Sequence, residues 1–315
     1  MTISVICPCY NEENYIEELL DFFLSANPID KELFLIDGGS IDKTKSIIVD
    51  YQKSNENIHL IDNPDKIVPF ALNKAIPLCK ADIIVRLDAH TKYAEDYFEK
   101  ILSTFEKVHA DIVGGPTRTA CKVPFQCAVA HAICTPFGVG NSQVHNINYE
   151  GYSDSVTFGA WKKEIFKDVG FFDERLVRNQ DDEFHYRAKS KGKKIYQNPE
   201  IKLWYYPRSN LKGLFKQYYQ YGLFKPMVLK KVNSEIKIRH LIPSGFLIYF
   251  FTVPLIIWVP IWGIPLILYF LLDFWFSFKA KGKLLVKIFA LIIYPALHIS
   301  YGAGFLFGLL RVIRK

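Results

Sequence analysis

The sequence predicts an α/β fold, a parallel sheet of βαβ units flanked by helices, continued by a C-terminal α-helical membrane region. Three observations predict it. Short apolar runs alternate with helix-length segments along the first part of the chain, which is the spacing of βαβ units. Three of those runs end in acidic or polar clusters: Pro8-Cys9-Tyr10-Asn11-Glu12-Glu13, Asp37-Gly38-Gly39-Ser40 and Arg86-Leu87-Asp88-Ala89-His90. Residues 1–240 have the composition of a water-soluble domain, whereas 241–315 are mostly apolar. A domain of 1–240 and an appendage of 241–315 are therefore expected, and 315 residues suffice for both.

Ile3–Cys7 reads as a buried strand. Asn11 is placed to cap a helix from about Glu12 to Ser25, where Ile16, Leu19, Leu20 and Phe23 recur at helical spacing. Leu33–Ile36 is a second strand that stops at Asp37-Gly38-Gly39. Asp42 is placed to cap the next helix, with Ile47 and Ile48 on its inner face. Ile58–Ile61 reads as a strand, Val68–Leu78 as a helix, and Ala81–Leu87 as a strand ending at Asp88. Ile112–Val113 precedes Gly114-Gly115-Pro116. Residues 117–155 show little periodicity, as long functional or mobile loops do. Trp161–Val169 reads as a helix stopped by Gly170, and Asp182–Ser190 as one closed by Gly192. Lys194–Gln197 is a strand candidate. Leu211–Leu223 is an amphipathic, aromatic helix carrying Lys212 and Lys216.

Gly245–Phe278 carries one charge, Asp273, and is longer than the ~20 residues one span needs. With Pro254, Pro260 and Pro265 it reads as a kinked helical hairpin, or as one span plus an interfacial helix. Leu284–Leu310 carries only Lys287, and its Gly302, Gly304 and Gly308 permit close helix packing. Lys279, Lys281 and Lys283 precede it; Arg311, Arg314 and Lys315 follow. Both basic flanks favour the cytoplasmic side, which one crossing cannot satisfy, so the number of crossings stays open.

The net charge of +7, placed beside apolar segments, suits an anionic membrane face. No DNA- or RNA-binding signature is present, so no nucleic-acid partner is expected. The six cysteines form neither a CxxC pair nor a zinc spacing and are expected as reduced thiols. The N-terminus has no basic and apolar leader pattern, so no cleaved signal peptide is expected.

A carboxylate at the end of a parallel strand faces the crevice where open α/β sheets bind ligands. Asp37, followed by two glycines that admit close backbone approach, is a candidate acceptor for a nucleotide base or ribose; an ordinary Asp-Gly turn has the same residues. Asp88 and His90, two apart on an extended segment, face one way and suit a hard cation bridging a diphosphate, His90 leaning toward Mn²⁺. A turn Asp beside a surface His is the plainer alternative. Asp181, Asp182 and Glu183, beside Arg178 and Arg187, crowd like charges, which suits a general base. Acidic residues also simply stabilise a helix N-terminus. No G-x-G-x-x-G turn follows the first strand, which argues against a dinucleotide-dependent dehydrogenase.

In this order, over roughly residues 2–225, the chain resembles glycosyltransferase family 2. Pro8–Glu13 resembles that family's opening strand-loop, and Asp37-Gly38-Gly39-Ser40-Ile41-Asp42-Lys43-Thr44 its base-binding loop. Asp88-Ala89-His90 stands where the family carries an Asp-x-Asp metal motif. Phe158-Gly159-Ala160-Trp161 through Gly170-Phe171-Phe172-Asp173-Glu174 resembles its acceptor-side segment, and Asn179-Gln180-Asp181 stands where it has Glu-Asp.

The resemblance implies an inverting transferase of the GT-A fold, with a Rossmann-like mixed, mostly parallel sheet. Within the family it is closest in kind to bacterial exopolysaccharide transferases of the succinoglycan type, which carry a C-terminal membrane region. It implies Asp181 as the catalytic base, and Pro8, Tyr10, Glu12, Asp37, Gly39 and Asp88 against the nucleotide sugar. A divalent cation, Mg²⁺ or Mn²⁺, falls to Asp88 and His90. Trp161, Gln180, Gln217 and Tyr221 fall on the acceptor or diphosphate side. The implied partners are a nucleotide-diphosphate sugar, a lipid-linked polyprenyl acceptor and the cell membrane, with the catalytic domain on the cytoplasmic face.

Three departures stand out. His90 replaces the second metal-motif Asp. Tyr205-Tyr206-Pro207 lacks the His often found there. Gln217–Gly222 lacks the Arg-Trp of the processive Gln-x-x-Arg-Trp signature, which implies one sugar per encounter. Two other functions suit the same residues: a polyprenyl-phosphate sugar synthase, and a non-catalytic membrane-anchored sugar-nucleotide binder.

Overall fold

The computed structural model describes residues 1–140, 142–232 and 238–314, without the side chain of Arg239; Lys315, counted above in the basic C-terminal flank, lies outside them. The chain forms two compact units, 1–118 with 143–205, and 119–142 with 206–315. This division differs from the boundary expected at 240/241.

The strands are β1 (Ile3–Cys9), β2 (Lys31–Asp37), β3 (Ile58–Asp62), β4 (Ile83–Arg86), β5 (Thr91–Tyr93), β6 (Ile112–Gly115), β7 (Arg118–Thr119), β8 (Gly151–Tyr152), β9 (Thr157–Lys162), β10 (Ile195–Gln197) and β11 (Leu203–Tyr205). In the first unit an eight-stranded sheet runs β3-β2-β1-β4-β9-β6-β10-β8 among the described residues. The pairs β1/β2, β1/β4, β2/β3 and β6/β10 are parallel, while β9 lies antiparallel between β4 and β6. β5 and β11 pair antiparallel apart from that sheet.

Helices α1 (Ile16–Ser25), α2 (Thr44–Gln52), α3 (Val68–Ala75) and α4 (Tyr97–Lys107) connect the early strands. Side-chain alternation gives each sheet face its own core. Val5, Cys7, Leu33, Leu35 and Val85 meet Phe23 of α1 and Phe98 of α4 on one face. Ile6, Phe34, Ile36 and Ile84 meet Leu72 of α3 on the other. Burying a side chain such as Phe23 contributes roughly 1.5–3 kcal/mol.

One expected helix cap serves another purpose, and the other a second one, since Asp42 Oδ1 also accepts from Thr44 N at the start of α2 at 3.0 Å. α1 begins only at Ile16, and Asn11 adopts a left-handed φ of 55°, a region asparagine enters at low cost. Asn11 Oδ1 accepts from Ile41 N at 3.0 Å, and Asp42 Oδ2 accepts from Glu13 N at 3.2 Å. These side chains therefore tie the loop after β1 to the loop after β2.

Trp161 lies in β9, not in a helix; the helix α7 covers only Ile165–Val169. The indole is 0% exposed, edge-on to Phe166, Phe172 and Phe184. Its apolar neighbours read as helical spacing because a buried strand and a buried helix turn share short apolar runs.

The second unit contains α5 (Pro124–Ala132), α6 (Pro136–Val139), α9 (Leu211–Val232), α10 (Ile238–Thr252), α11 (Ile264–Phe278) and α12 (Leu284–Ile313). By length and composition three segments are able to cross a membrane: His240–Ile257, Pro260–Phe278 and Leu284–Ile313. α11 leaves Ile267, Leu271, Phe274 and Trp275 exposed, a face that hydrocarbon would cover. The glycines of α12 bring backbones together as the small-residue pattern predicts. A Cβ on Gly304 would lie 2.0 Å from Tyr219 O of α9, one on Gly308 2.3 Å from Leu223 O, and one on Gly302 2.4 Å from Pro243 O of α10.

Residues 119–142, read from sequence as loop, belong here because their polar atoms are satisfied by these helices. His131 Nε2 is 2.9 Å from Phe276 O, Thr135 Oγ1 is 3.0 Å from Tyr294 OH, and His298 Nε2 is 2.8 Å from Phe137 O. Cys121 and Cys127 form a disulfide, which corrects the expectation of six reduced thiols. The short segment at the start of α5 folds back and brings the two sulfurs together without a CxxC spacing. Cys7, Cys9, Cys79 and Cys134 are free; the first three are buried, and burial holds their thiols above the usual range.

Candidate active site

The chain runs outward through β1, β2 and β3, then returns to place β4 on the other side of β1. The gap between β1 and β4 is thus a topological switch point, where doubly wound sheets bind ligands. The ladder with β4 ends at Ile6↔Arg86, two residues before Pro8, so the missing proline N–H removes no bond on that side. Tyr10 is exposed just beyond.

Asp37 stands at the end of β2, level with Cys9 of β1. It is 1% exposed. Its carboxylate accepts from Gly39 N at 3.1 Å, from Ser40 N at 3.1 and 3.2 Å, and from Ser40 Oγ at 2.5 Å. Gly39 needs its φ of +78° to make that turn. The carboxylate therefore organises the turn that follows β2. Glu12 N donates to Thr44 Oγ1 at 2.7 Å, a further tie between the two loops.

Asp88 and Asp181 are brought together by a residue that sequence reasoning quoted but gave no role, Arg86. Arg86 Nη1 donates to both Asp181 oxygens at 2.8 Å, while Nε and Nη2 donate to Asp88 Oδ1 at 3.3 and 3.1 Å. The signal was available: a cation inside the apolar run Ile83-Ile84-Val85, two residues before Asp88 and so on the same strand face. Burial works against the Arg86 charge, but Asp181 and Asp88 outweigh it and hold the guanidinium above the usual arginine range. The Asp88 backbone N donates to Tyr93 OH at 2.7 Å.

Asp181 is delivered by α8 (Gln180–Ser190), which starts after Asn179 at a left-handed φ of 62°. Its neighbours diverge. Glu183 is buried and forms a fork with Arg187, Oε1 to Nε at 2.8 Å and Oε2 to Nη2 at 2.9 Å. Arg187 also donates to Val169 O and Phe171 O. The expected run of three crowded carboxylates is therefore split: Glu183 fastens the helix to the segment after α7, and Asp181 faces Arg86. One turn below, His185 is buried with Nδ1 2.8 Å from Ser155 Oγ. Burial holds its imidazole below the usual range against the pull of Asp181 and Asp182.

The other expected site residues have these surroundings. Trp161 is sealed in the core, packed between the sheet and the rings of Phe166, Phe172 and Phe184. Gln180 is buried at the first turn of α8. Gln217 and Tyr221 belong to α9 in the second unit, where Gln217 Nε2 donates to Tyr221 OH at 3.0 Å.

The cation chemistry can be tested on the donor set. Both Arg86 contacts with Asp88 use Oδ1, so Oδ2 accepts no hydrogen bond among the described residues. His90 Nδ1 lies 3.1 Å from Glu12 Oε1, the carboxylate–imidazole arrangement that orients a metal-binding ring. Among the described residues no three His, Cys, Asp or Glu side chains converge on one point. Mg²⁺ at such sites takes only one or two protein carboxylates and completes its shell with water and substrate phosphates. Asp88, with His90 two residues on, fits that chemistry.

Residues 4–170 match the profile of "Glycosyl transferase family 2". The succinoglycan biosynthesis protein ExoA of Rhizobium meliloti (strain 1021) is 30% identical over 242 residues, 76% of this chain and 73% of that protein. The dolichyl N-acetyl-alpha-D-glucosaminyl phosphate 3-beta-D-2,3-diacetamido-2,3-dideoxy-beta-D-glucuronosyltransferase of Methanococcus voltae is 30% identical over 257 residues, 78% of each chain. The solved mannosyltransferase PcManGT from Pyrobaculum calidifontis, in complex with GDP-Man and Mn²⁺, superposes with a TM-score of 0.60 at 16% identity, over 98% of this chain and 87% of that one. That likeness is one of fold, and the fold is GT-A.

Proposed function

The chain belongs to glycosyl transferase family 2, and on that premise we propose that this glycosyltransferase moves one sugar from a nucleotide-diphosphate sugar to a lipid-linked acceptor, with inversion, in the assembly of a membrane-linked polysaccharide. The observation that carries the reading is the meeting of Asp88 and Asp181 on Arg86 at the switch point of the sheet.

The donor lies across the strand ends. Its nucleoside meets Tyr10, Glu12 and the Gly38–Ser40 backbone that Asp37 holds in shape, and its diphosphate lies toward Asp88. A divalent cation held by Asp88 with His90 would supply neutralisation of the departing diphosphate. Asp181, whose side chain is 30% exposed, takes the proton of the acceptor hydroxyl as that oxygen attacks the anomeric carbon. A single attack from the side opposite the leaving group inverts the centre.

The membrane segments are continuous with the catalytic chain and keep it at the bilayer. Leu211, Lys212, Phe215, Lys216 and Tyr219 of α9 line an open, almost wholly apolar hollow of about 760 Å³, which suits an isoprenoid chain. The names of the Methanococcus voltae and Rhizobium meliloti relatives, a dolichyl-linked sugar phosphate in one and succinoglycan in the other, support the acceptor class and the polysaccharide context. The catalytic residues fall within 1–240, on the cytoplasmic face.

Membranes carrying the chain, supplied with a panel of nucleotide sugars, should release the nucleotide from one of them when Mn²⁺ or Mg²⁺ and an acceptor lipid are present, and chelation should stop release. A saccharide on a lipid diphosphate is the expected product. A sugar-monophosphate lipid would instead assign a polyprenyl-phosphate sugar synthase, and binding without release under every condition would end the catalytic reading.

A further inference from the structure

Arg86 is a charge within an apolar strand, and it joins two carboxylates from distant parts of the sequence. We propose that Arg86 is the positioning residue of sugar transfer, holding the Asp181 carboxylate in the orientation from which it takes the acceptor proton and anchoring it to the donor-side carboxylate Asp88. The proposal rests on the reading of Asp181 as base.

The geometry is specific to a guanidinium. One nitrogen, Nη1, serves both Asp181 oxygens at 2.8 Å, and the other edge, Nε with Nη2, serves Asp88 Oδ1. A planar fork with five N–H groups can span two carboxylates in this way, whereas an ammonium is a point donor. Arg86 is 4% exposed, while the side chains of Asp181 and Asp88 are 30% and 21% exposed. The cation is therefore the floor of the site and the carboxylates are its accessible surface. Each Asp181 oxygen gives one lone pair to Arg86 and keeps another for an acceptor hydroxyl.

Two further features belong to the same arrangement. Phe158 covers the guanidinium, ring centroid 5.4 Å from Cζ, and does so from a left-handed φ of 56° that a Phe rarely adopts. Strained backbone of this kind persists where the surroundings over-determine it, as they do at functional sites. In addition, without Arg86 two like charges would face each other in a partly desolvated pocket, and Asp181 would turn away from Asp88.

Arg86→Lys is the test, because it keeps the charge and loses the fork. We expect kcat to fall about 10²-fold, the loss typical of a misplaced catalytic group, with the donor KM changed less than about threefold. Arg86→Lys combined with Asp181→Asn should lose far less than the product of the two single losses, since whatever Arg86 does through the base has nothing left to act on. Three results would overturn the proposal: unchanged kcat, a raised donor KM with kcat retained, or a loss that multiplies on top of Asp181→Asn. Asp181→Asn by itself separates the two levels. If it keeps its turnover, the base reading fails; if it is inactive while Arg86→Lys turns over normally, only the role of Arg86 fails. Arg86→Gln is the second variant should the lysine form not fold. Collapse of the unfolding transition in both would assign Arg86 to structure alone and end the proposal.

Discussion

Asp181→Asn is expected to lower turnover by about 10³-fold, within the range for loss of a general base, while nucleotide-sugar affinity stays within about twofold. The substitution is close to isosteric. Asn keeps one oxygen to accept from Arg86 Nη1, so the pairing that now holds both carboxylate oxygens at 2.8 Å is weakened without opening a cavity. The proton acceptor itself is lost. Nothing on the donor side depends on it directly, because the Asp37 loop and Asp88 hold their own contacts. Initial rates set beside a calorimetric titration with the donor check both halves. Retained turnover would move the base elsewhere, Asp182 on the same helix turn being the first alternative.

Asp88→Asn is expected to cost about 10²-fold or more in kcat/KM and to raise the Mn²⁺ concentration needed for half-maximal rate, the several kcal/mol a catalytic cation contributes being weakened at its protein ligand. The two oxygens of Asp88 have separate duties: Oδ1 accepts from Arg86, and Oδ2 accepts nothing among the described residues. An asparagine oriented with its oxygen toward Arg86 preserves the first duty and puts an amide NH₂ where the second was. The expected signature is a loss that added Mn²⁺ partly restores. A rate and a Mn²⁺ response like those of the parent chain would remove Asp88 from the cation's shell.

What could be read from the chain alone follows from how each feature is encoded. β1, β2, β3 and β4 were legible because each is a short apolar run cut off by a polar or Gly-containing cluster, and a parallel sheet buries both faces of such runs. The strand-end acids came with them, since position at a strand end is itself sequence-local. Trp161 was misplaced because a buried strand joined to a short helix has no period that separates the two. Arg86 sat in plain view two residues before Asp88, yet its role depends on Asp181, 95 residues away, and nothing local reports that pairing. The assignment of 119–142 to the membrane unit likewise depends on partners 145 to 161 residues on, at Phe276 and His298. The small-residue pattern of α12 was legible for the opposite reason: glycine at a helix contact is a local cause with a local signature.

Product stereochemistry tests the single displacement most directly. Proton NMR of the first glycosidic product, recorded before any anomeric exchange, should show the configuration at the transferred carbon opposite to that of the nucleotide-sugar donor. The same configuration in donor and product would require two displacements or a front-side attack, and would contradict Asp181 acting as the base of one inverting step.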